Sequence, residues 1–256
     1  MSWKRYWSNV FTLTEFELRK LRHDSSQIWL RSVQPALWLM VFGTVFSQLK
    51  AIPTGGFSYL QFMTPGILAQ SVMFVAIFYG ITVVWERDLG LLNKLLSSPA
   101  PRSAIVLGKA LSAGVRSIFQ AIAVLALALI IRVNLSLSPI AILGVFGIII
   151  LFGMCFSSLS MSLAPIFRTR ERMMGIGQAI TMPLFFASNA IYPISLMPAW
   201  LRSIAIINPL SYVVDAMRAL LVTGDLSNLP IDMLAIGIAT AVLVGLASVS
   251  FRKLIS

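Results

Sequence analysis

The chain is expected to be an all-α integral membrane protein with six transmembrane helices, and three observations predict it. Hydrophobic residues make up 58% of its 256 residues and charged residues only 11%, well below the roughly 25% charged of a soluble domain. The apolar residues gather into long stretches, and a hydrocarbon core of about 30 Å takes about 20 helical residues to cross. Those stretches are continuous, as in Ile118–Ile131, whereas a transmembrane barrel needs alternating segments of about ten residues. Helices follow because lipid offers no partner to an unpaired backbone N–H or C=O.

Residues 1–30 precede the first span and are amphipathic. Trp3, Trp7, Val10, Thr14, Leu18 and Leu21 recur at spacings of three and four, on one helical face. Lys4, Arg5, Glu15, Glu17, Arg19, Lys20 and Arg22 lie mostly off that stripe. Such a helix rests in the cytoplasmic interface with its tryptophans at headgroup depth, a position compatible with packing on the chain's own loops. The one histidine, His23, belongs to this segment and reads as a solvated or interfacial side chain. No apolar core of signal type occurs in the first 25 residues, so the first span is expected to act as an uncleaved anchor.

The spans run Val33–Leu49, Phe62–Trp85, Ile105–Ile131, Pro139–Ala164, Met173–Ile194 and Ile231–Phe251. In the last, Gly237, Ala241 and Gly245 fall four apart and form a small-residue stripe for close helix contact, with the partner helix open. Gly114, Ser117 and Ala121 offer the same in the third. Cys155, the single cysteine, lies in the fourth span; no intrachain disulfide is possible and a buried packing thiol is expected.

Two connections are irregular. Residues 86–104 form a loop far longer than two spans need, with a short helix presenting Leu91, Leu92, Leu95 and Leu96 on one side and Asp88 and Lys94 elsewhere, until Pro99 and Pro101 stop it. A leucine face with a charged entrance suits a surface that meets another protein. Residues 195–230 are apolar yet broken by Pro198, Asn208-Pro209, Asp215 and Arg218. A full span there would bury Asp215 and Arg218 at about 2.5–3.5 kcal/mol each. Two short re-entrant helices fit better, with Asp215 and Arg218 three apart and able to pair. Broken helices at membrane depth need cover, so this segment is expected to cap something.

With six spans, both termini share one side with the second and fourth loops. Of the 20 Lys and Arg, only Lys50, Arg132, Arg202 and Arg218 fall on the other side, and Arg116 lies within a span near enough to its end to snorkel. Basic residues mark the cytoplasmic face, which puts both termini there in a multi-pass membrane protein. The net charge of +11 is therefore spread as topology markers, not gathered on a nucleic-acid groove.

Catalytic chemistry finds little material. No His/Cys/Asp/Glu cluster has metal-ligand spacing, and Gly108-Lys109 followed by Ala110 lacks the hydroxyl of a nucleotide-binding loop. No span carries a chain of Asp, Glu or His for a proton relay. Neither a cofactor nor an enzymatic activity is expected of this chain, and energy for movement must come from elsewhere.

Three patterns then occur in order. Phe62-Met63-Thr64-Pro65-Gly66-Ile67 opens the second span. Trp85-Glu86-Arg87-Asp88-Leu89-Gly90 leads to Ser98-Pro99-Ala100-Pro101-Arg102 and Gly108-Lys109. Tyr192-Pro193-Ile194 and Met197-Pro198-Ala199-Trp200-Leu201 precede Asn208-Pro209-Leu210-Ser211-Tyr212 with Asp215 and Arg218. Together these resemble the permease subunits of ABC-2 type ATP-binding-cassette transporters, notably the branch named for daunorubicin resistance, over essentially the whole chain as a single transmembrane domain.

The resemblance implies an export permease. Two such chains, identical or different, form the path, and separate ATPase subunits on the cytoplasmic side bind ATP and Mg. It assigns ATPase coupling to Glu86, Arg87, Asp88, Leu91, Leu92 and Leu95, with the amino-terminal helix also leaning on the ATPase. It gives the outer cap to Pro198, Asn208, Pro209, Asp215 and Arg218. On this reading, Lys at Glu86 or Asp88 is expected to uncouple ATP turnover while leaving assembly largely intact. A hydrophobic drug or lipid-like substrate suits a path rich in Phe, Met and small residues. A lipid-linked glycan is the alternative, for which Tyr59, Phe62, Tyr79 and Tyr192 are candidate stacking rings if they do not serve as belt anchors. A membrane-embedded lipid-modifying enzyme or a structural protein are further alternatives; the first lacks the polar cluster it needs.

Overall fold

A computed structural model describes residues 3–21, 26–49, 52–97, 100–167 and 169–251. Among these, every regular element is helical. The readings that fall on Arg22, His23, Lys50, Ser98, Pro99, Arg168, Arg252 and Lys253, and on the side chains of Leu21 and Leu96, lie outside the described residues.

Helix α1 (Trp3–Leu21) lies against α6 (Arg102–Ile130). Gly108 makes this approach close: a Cβ there would lie 2.9 Å from the Leu13 side chain and 3.1 Å from the Val10 carbonyl. Thr14 Oγ1 donates to the Gly108 carbonyl at 3.2 Å. The packed face is Val10, Thr14 and Glu17, while Trp3 is 76% exposed and Phe11 and Phe16 also point outward. This corrects the expected stripe: Glu17 belongs to the buried side, because a cation on α6 compensates it, and Trp3 leaves it.

The expected first span is helical from 26 to 49 but in three pieces, α2 (Ser26–Leu37), a π-helical stretch Trp38–Gly43, and α3 (Thr44–Leu49). Pro35 removes one backbone donor inside α2, and the wider turns follow directly after it, a usual response to a broken hydrogen-bond ladder. Helix α4 (Tyr59–Asp88) starts in a full capping box: Gln61 N donates to Ser58 Oγ at 3.2 Å and Ser58 N to Gln61 Oε1 at 2.9 Å. It is the most enclosed of the four long apolar helices, buried along most of its length, and so forms the axis about which the others pack.

After the short α5 (Leu91–Leu96), α6 and α7 (Pro139–Leu163) meet at glycines. A Cβ on Gly114 would lie 2.5 Å from the Ile150 carbonyl oxygen, and one on Gly153 would lie 2.7 Å from Gly114 Cα. Ser117 and Ala121 are buried along the same seam, so the small-residue stripe of α6 packs within the chain. Cys155 is buried in α7 as a free thiol.

Helix α8 (Arg170–Phe186) is 17 residues long, ending well before the expected Ile194. Ser188 donates its hydroxyl to the Phe185 carbonyl at 2.7 Å, a local bond that competes with continued helix, and Asn189 donates its amide to the distant Asp215 at 2.5 Å. After a 3-10 turn at Ile194–Leu196, α9 (Ala199–Ile207) and α10 (Pro209–Arg218) with its π-helical end Ala219–Thr223 meet at 78°. Helix α11 (Leu229–Ser250) closes the bundle. It faces α7 through Ile236, Thr240 and Ala247, with Thr240 Oγ1 donating to the Leu151 carbonyl at 3.2 Å. Its Gly237, Ala241 and Gly245 stripe is turned away, and a Cβ on either glycine would meet nothing within 4 Å.

By length and composition, α4, α6, α7 and α11 are each able to cross a membrane, and the bent pair α9–α10 makes a fifth if taken as one span.

Candidate functional site

Three features are strung along α4. At the end carrying Asp88, α1, α4 and α6 converge on a buried ring of charges. Lys109 of α6 is only 2% exposed, and its Nζ donates to Glu17 Oε1 of α1 at 2.7 Å and to Glu86 Oε2 of α4 at 2.5 Å. Lys20 closes the ring from α1, at 3.0 Å from Glu86 Oε1 and 3.2 Å from Glu17 Oε2. Tyr79 OH donates to Glu17 Oε2 at 2.8 Å, and Ser112 Oγ donates to Tyr79 OH at 2.9 Å. Arg116 donates to the Glu17 carbonyl and lies 4.4 Å over the Tyr79 ring. Each ring carboxylate thus faces two ammonium groups, the arrangement that makes buried charge tolerable.

Burial pushes the Glu17 carboxyl up, but Lys109, Lys20 and the Tyr79 hydroxyl outweigh it and hold it at about 2. Burial pushes Lys20 down, and Glu17 and Glu86 overcome this and raise it above an ordinary lysine. A depressed carboxyl contributes stability above its unfolded value of 4.5, lost as pH falls through about 2. A raised ammonium contributes below its unfolded value of 10.5, lost as pH rises through its higher folded value. Helix α1 is therefore expected to stay docked between these limits. Trp3 and Trp7 emission, followed against pH in detergent, should stay flat from pH 5 to 10 and change only outside that range; a transition near neutrality would contradict the ring.

The expected coupling residues divide. Glu86 faces inward to the ring, and Leu92 is fully buried. Asp88 and Leu91 are exposed, Leu91 at 41%, and Leu89 joins them. Arg87 bonds Asp88 at 2.9 Å, and Leu95 is half-buried. Gly90, with φ of 72°, makes the turn from α4 into α5 that a Cβ would strain.

Mid-helix, a cleft of about 290 Å³ opens between α2, α4 and α8. Gln70, Ser71, Phe74, Val75 and Phe78 of α4 form one wall, Arg31, Gln34 and Pro35 of α2 another, and Gln178 of α8 the third. Gln70 is 3% exposed and its Nε2 has no hydrogen-bond partner. The Phe74 and Phe78 rings stack at 5.9 Å and 16°.

At the far end of α4 lies the broken segment. Arg218 bonds Asp215 at 3.0 Å, the Asn189 carbonyl at 2.8 Å and the Phe62 carbonyl at 3.4 Å, and lies 4.0 Å over the Phe62 ring. Asn208 caps α10 by accepting from Leu210 N at 3.0 Å and donates to the Leu184 and Ala187 carbonyls at 2.7 and 2.9 Å. Pro198 and Pro209 start α9 and α10. The five expected cap residues therefore share one segment; Arg218 ties it to α4, Asn208 to α8, and Asp215 to Asn189 just beyond α8.

The family model of the ABC-2 type transporter matches residues 8–222. The chain belongs to this family. It is 29% identical over 190 residues to "Putative transport permease ycf38" of Cyanophora paradoxa, covering 73% of this chain and 65% of that protein. It is 25% identical over 189 residues to "Daunorubicin resistance ABC transporter permease protein DrrB1" of Streptomyces coeruleorubidus, covering 74% and 66%. It is 27% identical over 161 residues to "Probable multidrug ABC transporter permease YbhR" of Escherichia coli (strain K12), covering 62% and 43%. These relatives are named as permeases, and the chain covers about two thirds of the length of the first two and less than half of the third. Among the described residues no group of three His, Cys, Asp or Glu is placed to hold a metal.

The ring was missed by sequence reasoning. From sequence, Lys109 counts as a topology marker, Arg116 as a snorkelling side chain, and Glu86 as part of an external surface. The signal was present: a lysine and a glutamate, each at the edge of an apolar stretch, have to find each other or stay at the interface.

Proposed function

We propose that this chain is the membrane-spanning subunit of an ATP-driven exporter in the bacterial inner membrane. Helices α2–α3, α4, α6, α7, α8 and α11 make six crossings, with both termini cytoplasmic, and α9–α10 re-enters the outer leaflet. A separate ATPase subunit binds ATP and Mg and docks at Asp88, Leu89 and Leu91 beside α1. A second permease chain, identical or different, completes the path, and the substrate is a hydrophobic or amphipathic drug or lipid-like molecule.

One observation carries this reading: α4 runs unbroken from the docking corner past the cleft to the cap. From Phe62 to Glu86 is roughly 36 Å at 1.5 Å per residue, so a displacement at one end reaches the other through a single rigid element. The glycan alternative is less well supported. Tyr59, Tyr79 and Tyr192 donate their hydroxyls to the Ile191 carbonyl, Glu17 and the Phe186 carbonyl, and Phe62 lies under Arg218; none of the four is among the residues that line the cleft.

The test is copurification of an ATPase with the permease, followed by substrate-stimulated hydrolysis in nanodiscs. Asp88→Lys, exposed and outside the ring, should lower the copurified ATPase several-fold while leaving the permease's thermal stability within about 0.5 kcal/mol. Wild-type ATPase recovery would remove Asp88 from the docking surface, and no associated ATPase at all would overturn the proposal.

A further inference from the structure

We infer that Arg116 of α6 holds the phosphate of an anionic phospholipid whose acyl chain lies along the outward face of that helix. The inference does not depend on what the permease carries. It starts from the charge of the corner where α1, α4 and α6 meet. Glu17 and Glu86 each pair with both Lys20 and Lys109, so the ring is formally neutral. Arg116, 4.4 Å over the Tyr79 ring, adds a third cation, and among the described residues no carboxylate pairs with it.

The bonds of Arg116 leave that charge standing. Its Nη2 donates to the Glu17 carbonyl, and its Nε has no acceptor. A carbonyl accepts a hydrogen bond but cancels no charge, and a guanidinium without a counter-charge is costly inside an apolar span. Arg116 is not sealed off: it is partly exposed, whereas Lys109 is buried. A phosphate oxygen would supply both an acceptor and the missing negative charge, and the guanidinium fork matches phosphate geometry.

What leads away from Arg116 is apolar. Phe119, Ile122, Ala126 and Leu129 are exposed at spacings of three and four, which makes them one outward stripe of α6. Arg116 stands three residues before Phe119, at the end of the stripe nearest the ring. From Arg116 to Leu129 the stripe rises about 20 Å at 1.5 Å per residue, more than the roughly 15 Å of hydrocarbon in one leaflet. A cation at one end of a continuous apolar face fits a phospholipid better than a free anion. The single uncompensated charge favours a headgroup of net negative charge, such as phosphatidylglycerol. Phosphatidylcholine brings its own ammonium and has less to gain.

The full chain, stripped of lipid in detergent, is titrated with phosphatidylglycerol and phosphatidylcholine of equal chains, and bound lipids are counted by native mass spectrometry. One phosphatidylglycerol is expected to bind at least about tenfold more tightly than phosphatidylcholine, the scale of one charge-assisted contact. Arg116→Gln should abolish this ratio, Arg116→Lys should keep most of it, and Arg5→Gln, exposed on α1, should leave it unchanged. A purely structural role for Arg116 would lower stability without changing the ratio. If Arg116→Gln fails to fold, the wild type decides: phosphatidylglycerol carrying a diazirine on its chain should label residues 119–129. Labelling confined to other helices, equal binding of the two lipids, or a ratio that survives Arg116→Gln would overturn the inference. Glycerol phosphate binding as tightly as the lipid would also overturn it, because the site would then take a free phosphate and have no use for the chain.

Discussion

Lys109→Met is expected to destabilise the protein by about 3–5 kcal/mol, because removing one partner of a buried ion pair leaves the other charge uncompensated. Here two carboxylates are left, Glu17 and Glu86, with only the half-exposed Lys20 between them. Thermal unfolding in detergent, read by tryptophan emission, measures it. The companion variant Glu17→Met/Glu86→Met/Lys109→Met removes the whole set of buried partners and should recover most of the loss, since a packed apolar replacement of a buried ionic cluster is often neutral or stabilising. A Lys109→Met protein as stable as the wild type would mean that the ring is solvated and holds nothing. The same argument revises the expectation for Glu86→Lys. That change places a third cation beside Lys20 and Lys109, so it should disrupt folding instead of selectively uncoupling transport; Asp88 is the residue that tests docking.

Gly66→Leu is expected to detach the broken segment from α4. A Cβ at Gly66 would collide with the carbonyl oxygen of Ala190 and lie 2.6 Å from its Cα. These are backbone atoms, so no side chain can swing aside, and overpacking of this kind costs about 1–3 kcal/mol or more. Residue 189, next in the chain, provides both the carbonyl that Arg218 binds and the amide that binds Asp215. Hydrogen exchange should rise at least about tenfold across 187–218, matching a loss of roughly 1.4 kcal/mol in local stability, while 139–163 stays protected. Unchanged exchange would show that the approach of α4 to Ala190 is slack.

Much of the bundle was legible because lipid imposes a simple rule. α4, α6, α7 and α11 were readable from apolar length alone, and Asn208-Pro209 announced the bend before α10. The end of α8 was not, because Ser188, Asn189 and Ala190 are small and carry no breaker until Pro193; it is Asp215, on another helix, that draws Asn189 out of the ladder. Glu17 was misplaced for a similar reason. Periodicity assigns a carboxylate to the polar face, and only Lys109, on α6, makes burial the cheaper state. The cleft was invisible in the same way: residues 34, 70 and 178 share no local pattern, and nothing in one helix tells which glutamines meet. Local rules reached every element whose fate depends on solvent, and failed where a side chain answers to a distant partner.

Helix α4 also behaves as a screw with both ends fixed. The ring grips it at Glu86, and the broken segment grips it at Phe62 and Gly66. One added or deleted residue between them would turn one grip by about 100° relative to the other and change their spacing by about 1.5 Å. Gln70, Phe74 and Phe78 can therefore change in chemistry at the cleft, but the number of residues from cap to ring cannot change. Variation in what is carried belongs to side chains along a shaft whose pitch and length are set.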